Sequence, residues 1–106
     1  MAKYLFEVSY TVEGARGVLK EGGSARRAVV KQLAESMGGK LETFYFAFGK
    51  NDAYVIVDGP GNVDMAAVSM AVGASGAASI KTTVLLTPEE IDEAAKKSVA
   101  YRPPGA

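Results

Sequence analysis

Cysteine, histidine and tryptophan are all absent from the 106 residues. Without the first two there is no disulfide framework, no thiolate or imidazole metal site, no Ser-His triad and no haem held by His or Cys. Neither sign of charge is in excess, with 12 Lys+Arg against 12 Asp+Glu. A nucleic-acid module needs a clustered cationic surplus, so that class is set aside. Long apolar runs are missing too. Residues 65–80 carry no charge but include Ser69, Gly73, Ser75, Gly76 and Ser79, and they fall short of the roughly 20 apolar residues of a membrane span. The opening MAKYLFEVSY lacks the basic-then-apolar order of a secretory signal, so the expectation is a cytoplasmic protein without a membrane partner.

What is present is alternation. Over residues 3–10, Tyr4, Phe6, Val8 and Tyr10 share one face and Lys3, Leu5, Glu7 and Ser9 the other, the period of a strand. A helical stretch follows, broken by Gly22-Gly23, with Thr11 as N-cap of its first piece (residues 12–20). The second piece starts at Ser24 as cap and runs through Val29, Val30, Leu33, Ala34 and Met37 to Gly38-Gly39. Residues 41–48 and 53–58 read as a hairpin around Gly49-Lys50-Asn51-Asp52; a two-residue Lys50-Asn51 loop sets Phe48 against Ala53, Phe46 against Val55 and Phe44 against Val57. Asn62 is placed to cap a helix rich in Ala, Ser and Gly, residues 79–86 form a fourth strand, and Thr87-Pro88-Glu89-Glu90 opens a last helix. The tail, residues 100–106, is extended around Pro103-Pro104.

The order is β-α-β-β-α-β plus a terminal helix in one domain, residues 1–106. It predicts an α+β, ferredoxin-like fold with a four-stranded antiparallel sheet. Helices cover one sheet face. By parity the bare face holds Lys3, Leu5, Glu7, Ser9, Leu41, Thr43, Tyr45, Tyr54, Ile56, Asp58, Lys81, Thr83 and Leu85. Six of these are large apolar or aromatic residues, and such a patch marks an interface or a binding groove. The expected partner is the chain itself, as a homodimer or higher oligomer packed sheet to sheet.

KYLFEVSYT, LKEGGSARR, GGKLETFYFAFGKND before VIVD, KTTVLLTPEE and the closing YRPPG together resemble the GYD domain family over nearly the whole chain. The resemblance implies the dimeric α/β-barrel type of ferredoxin-like fold. In the family's naming motif Gly49 and Asp52 match, whereas Asn51 stands where the tyrosine is expected. The wider group includes cofactor-free oxygenases, dehalogenating and isomerising enzymes, stress proteins and ligand-sensing regulators. The analogy therefore implies a small-molecule site without cofactor and leaves both the ligand and enzymatic activity open.

Candidate residues each carry two readings. Gly22-Gly23-Ser24 with Arg26 and Arg27 resembles a helix start that binds a small anion, since two arginines in a first turn oppose the helix dipole. The alternative is that Ser24 caps and the arginines pair with carboxylates such as Glu21. Glu7, mid-strand among apolar residues, is either a general acid or base made without histidine, with Lys81 beside it, or half of a Glu7–Lys81 pair across neighbouring strands. Tyr45 and Tyr54 offer hydroxyls to a ligand or pack an interface, and Asp52 and Asp58 stabilise their turns. The run Phe44-Tyr45-Phe46-Ala47-Phe48 raises base stacking on a sheet, but the third strand lacks the basic-Gly-aromatic signature of RNA-recognition domains. Two functions remain. One is a small-molecule-binding protein or cofactor-independent enzyme with a pocket on the sheet face, and the other a non-catalytic oligomeric or regulatory module whose sheet face is only interface.

Overall fold

A computed structural model describes all 106 residues. The strands are β1 (Ala2–Tyr10), β2 (Lys40–Phe46), β3 (Ala53–Gly59) and β4 (Ala78–Leu85); the helices are α1 (Val12–Glu21), α2 (Gly23–Ser36), α3 (Asn62–Ala74) and α4 (Pro88–Ala95). The chain is mixed α+β, and its one sheet is antiparallel throughout, in the order β2-β3-β1-β4. No helix is long and apolar enough to cross a membrane.

Alternation decides which face is covered. Tyr4, Phe6, Val8, Val55 and Val57 are buried and meet Ala34 of α2 and Met65 of α3, while the residues alternating with them lie on the uncovered face. α2 packs on β2 and α3 on β4, where Ser69 and Thr82 share a hydrogen bond of 2.8 Å. The two helices thus lie over opposite flanks of the sheet. Local signals place the helix ends. Thr11 caps α1 by accepting from the Gly14 amide, and a side chain at Gly14 would collide with the Ala77 carbonyl, so α1 needs glycine there. Gly22, at φ +85°, takes the left-handed conformation that ends α1 and restarts the chain as α2. Thr87 and Glu90 form a full capping box on α4.

Several expectations need correction. β2 pairs with β3 as Phe44↔Val55 and Phe46↔Ala53, two residues away from the predicted register. The connection spans residues 47–52, closed by the Ala47 amide on the Asp52 carbonyl, and Phe48 lies in it fully exposed. A β-bulge between Leu41 and Thr43 inserts one extra residue. The bulge turns Leu41 to the covered face, where it packs on the core, instead of the bare face assigned by strict parity. Gly22, not Ser24, occupies the N-cap of α2, and Gly61, not Asn62, that of α3. Asn62 instead accepts a 2.7 Å hydrogen bond from the Tyr4 hydroxyl. Nor is Asp58 a turn-stabilising group: with Glu42 it holds the Lys3 ammonium at 2.8 and 2.9 Å. The hydrogen bond that Lys3 donates to Asp58, then the one it donates to Glu42, raises the Lys3 pKa.

Burial is thin for the length. The core cluster has nine residues, and no helix or strand packs closely on α4. The radius of gyration is 16.9 Å, against about 13 Å for a compact chain of this length. The accessible surface of 7434 Å² exceeds by about 1,800 Å² the roughly 5,650 Å² expected of a monomer of this mass. Ile91, Val99 and Tyr101 are exposed along the C-terminal arm, and Tyr45 is exposed on the uncovered sheet face.

Candidate functional site

The two faces of the sheet present two different sites. On the uncovered face β1 runs between β3 and β4, so Glu7 faces Tyr54 on one side and Lys81 on the other. Glu7 and Lys81 form no ion pair, although they are direct partners in the ladder; the three ion pairs of the chain lie elsewhere. The group that reaches Glu7 is Asn51, buried at 6% exposure in the β2–β3 connection. Its Nδ2 donates to Glu7 Oε1 and to the Tyr54 hydroxyl, and its Oδ1 accepts from Ser9 Oγ, each at 3.3 Å, the long end of the hydrogen-bond range. One amide thus ties together residues from β1, β3 and the hairpin connection. Tyr45, across from Tyr54 in the ladder, stays 70% exposed. Asp52 does not close its own turn with its side chain. Its carboxylate accepts the Tyr10 amide at 2.8 Å and its amide donates to the Val8 carbonyl, so it continues the β1–β3 pairing past Ala53.

On the covered face, the separation of α2 and α3 leaves a cavity of about 270 Å³. Its floor is the inward row of β1, with Phe6, Val8 and Tyr10, and its walls include Val30 and Leu33 of α2 and Val68 and Val72 of α3. Short side chains make the room: Ala71 of α3 and Ser75 at its C-cap line it where larger residues would bridge to α2. The lining is apolar except at one end. There Tyr10, at the last position of β1, comes near Arg26 in the first turns of α2, and burial is the main cause of a raised Tyr10 pKa, which Arg26 partly offsets. Arg26 Nε is 2.8 Å from Glu21 Oε1, yet this buried N–H is not aligned to donate and has no hydrogen-bond partner. Glu21 balances the guanidinium charge, while the terminal nitrogens of Arg26 take part in no ion pair of the chain.

The residues singled out in sequence are therefore divided between three places. Glu7 and Tyr54 meet through Asn51, with Lys81 and Tyr45 alongside on the same face. Arg26 lines the cavity on the opposite face. Ser24 and Arg27, both exposed, line a small cleft with Gly23, Phe44 and Phe46, and Ser24 makes no capping bond. Sequence reasoning missed Tyr10 as a cavity residue and Asn51 as a hub. The signal for Asn51 was its place in the family motif, and for the cavity the Ala, Gly and Ser content of α3.

A search of curated proteins and of solved structures finds no match to the chain. A family model does match, covering residues 4–95, which contain β2, β3, β4, most of β1 and every residue of the two sites just described. The chain belongs to the GYD domain family, the model being that of the GYD domain.

Proposed function

We propose that the chain is a homo-oligomeric small-molecule-binding protein of the ferredoxin-like, dimeric α/β-barrel kind. In this reading the ligand enters the cavity between sheet and helices, and a second copy covers the open sheet face. The cavity carries the reading: it is largely apolar, it has a polar end, and its volume is just under the roughly 300–1,000 Å³ usual for ligand sites. The strand order β2-β3-β1-β4 with α2 and α3 on one face supports the fold. Self-association is supported by the excess surface of about 1,800 Å², ample beside the roughly 800 Å² per partner of a standard interface.

Asn51, Glu7, Ser9 and Tyr54 then serve the interface as a hydrogen-bonded polar patch among Leu5, Ile56 and Leu85. A catalytic role for Glu7 and Lys81 has less support, because neither lines the cavity and they do not pair. The exposed side chains of Ser24 and Arg27 are a secondary anion contact in this scheme. Native mass spectrometry of the protein purified without denaturation tests both halves at once. A dimer or larger assembly carrying a bound small molecule is expected, and a bare monomer at micromolar concentration would overturn the proposal.

A further inference from the structure

We infer that the cavity takes a small apolar monoacid, with its hydrocarbon body between α2 and α3 and its single anionic group facing Arg26 and Tyr10. This rests on the cavity being a ligand site and adds the class of ligand. The lining sets the body: Phe6, Val8, Val30, Val68, Val72 and Ile80 offer hydrocarbon on every side and no polar atom to match a polar body. The volume sets the size. At roughly 30 Å³ per water-sized group, about 270 Å³ holds on the order of ten non-hydrogen atoms, a medium-length acyl chain or a fused ring pair.

The polar end sets the head. Arg26 is the only charged residue on the cavity wall, and its one ion pair is through Nε, 2.8 Å from Glu21 Oε1. A guanidinium offers its donors as a planar fork matched to a carboxylate, and with Glu21 on the Nε side the two terminal nitrogens are left to take a second one. Tyr10 adds a second donor. Its hydroxyl is protonated at neutral pH, as any tyrosine's is, and burial raises its pKa further, so it can give a hydrogen bond to an anionic oxygen. A neutral alcohol brings a single oxygen and no charge, so it matches neither the guanidinium's charge nor its fork, and a cationic head would be repelled.

Calorimetric titration with decanoate and with 1-decanol separates head from body. Decanoate is expected to bind about tenfold or more tightly than decanol. Arg26→Met, which keeps the apolar stem, should bring decanoate down to the level of decanol without weakening decanol. Glu21→Gln should strengthen decanoate by removing the competing carboxylate. Arg26→Lys, which keeps the charge but not the fork, should fall between wild type and Arg26→Met; circular dichroism checks that each variant is folded. Equal binding of acid and alcohol, or an acid preference that survives Arg26→Met, would overturn the monoacid class while leaving the cavity as a site. Failure of both probes to bind would instead count against the cavity reading itself.

Discussion

Val68 is the position at which the cavity can be filled most directly. It lies on the inward side of α3, packs on the core and lines the void. Left empty and sealed, a space of about 270 Å³ would cost roughly 6 kcal/mol at about 24 cal/mol per Å³. That equals a large part of the roughly 5–15 kcal/mol that holds a domain of this size together. Water reaches the space between α2 and α3, where Val29 is 44% exposed, so the actual cost is lower. Val68→Phe adds four carbons, worth about 3 kcal/mol at about 0.8 kcal/mol each if fully buried. Ring entropy and the open side reduce this to about 1–2 kcal/mol, and helix propensity hardly changes between the two residues. The ligand-free protein should therefore melt higher, by about 4–8 °C per kcal/mol for a domain near this size, when followed by circular dichroism. The same variant should bind decanoate poorly. A closely packed core gives the opposite sign, since overfilling costs typically 1–3 kcal/mol. A lowered melting temperature in a folded Val68→Phe variant would refute the reasoning.

Further outcomes follow from the same structure. Asn51→Ala should lower stability by about 1–2 kcal/mol in urea unfolding, because Glu7 and the Tyr54 hydroxyl lose their shared donor. Asn51→Asp should cost more, as it sets a second carboxylate against Glu7. Thr87→Ala removes the capping box of α4, worth about 1 kcal/mol locally, yet α4 packs closely on no other element. Hydrogen exchange in residues 88–95 should quicken while the global melting temperature stays put. For Tyr10, burial first, and Asp52 and Glu21 after it, raise the folded pKa above the ordinary value of 10.0 against the opposing pull of Arg26. The folded state then holds the proton more tightly than the unfolded chain, so this contribution is intact below about pH 10 and is lost as pH climbs through the raised value. Urea midpoints across that window should fall less steeply in Tyr10→Phe than in wild type.

The sheet was largely legible because alternation is a local signal. Tyr4, Phe6 and Val8 against Lys3, Leu5 and Glu7 define two faces within one strand, and Thr11 and Thr87 mark helix starts with side chains that accept specific amides. The hairpin was less so. A bulge at Glu42 has no required residue type, and it reverses the parity of everything before it, which is how Leu41 changed faces. The six-residue connection exceeded the two-residue loop suggested by Lys50-Asn51, since Asp52 is held by Val8 and Tyr10, partners distant in sequence. The cavity was the least legible feature. Its existence depends on how far apart α2 and α3 settle, a distance that no periodicity within either helix encodes. Arg26 was picked out for its clash with the helix dipole, and the fold places it at the polar end of the cavity for a reason unrelated to that clash.

The most direct test compares the two sheet faces in one experiment, by isotope-filtered NOE spectroscopy of ¹³C-labelled protein with unlabelled decanoate. Contacts from the acyl chain to methyl groups of Val30, Val68, Val72 and Ile80, all on the covered face, are the predicted result. Contacts to Leu5, Ile56 and Leu85 on the uncovered face instead, or no contacts to any methyl group at saturating decanoate, would contradict it.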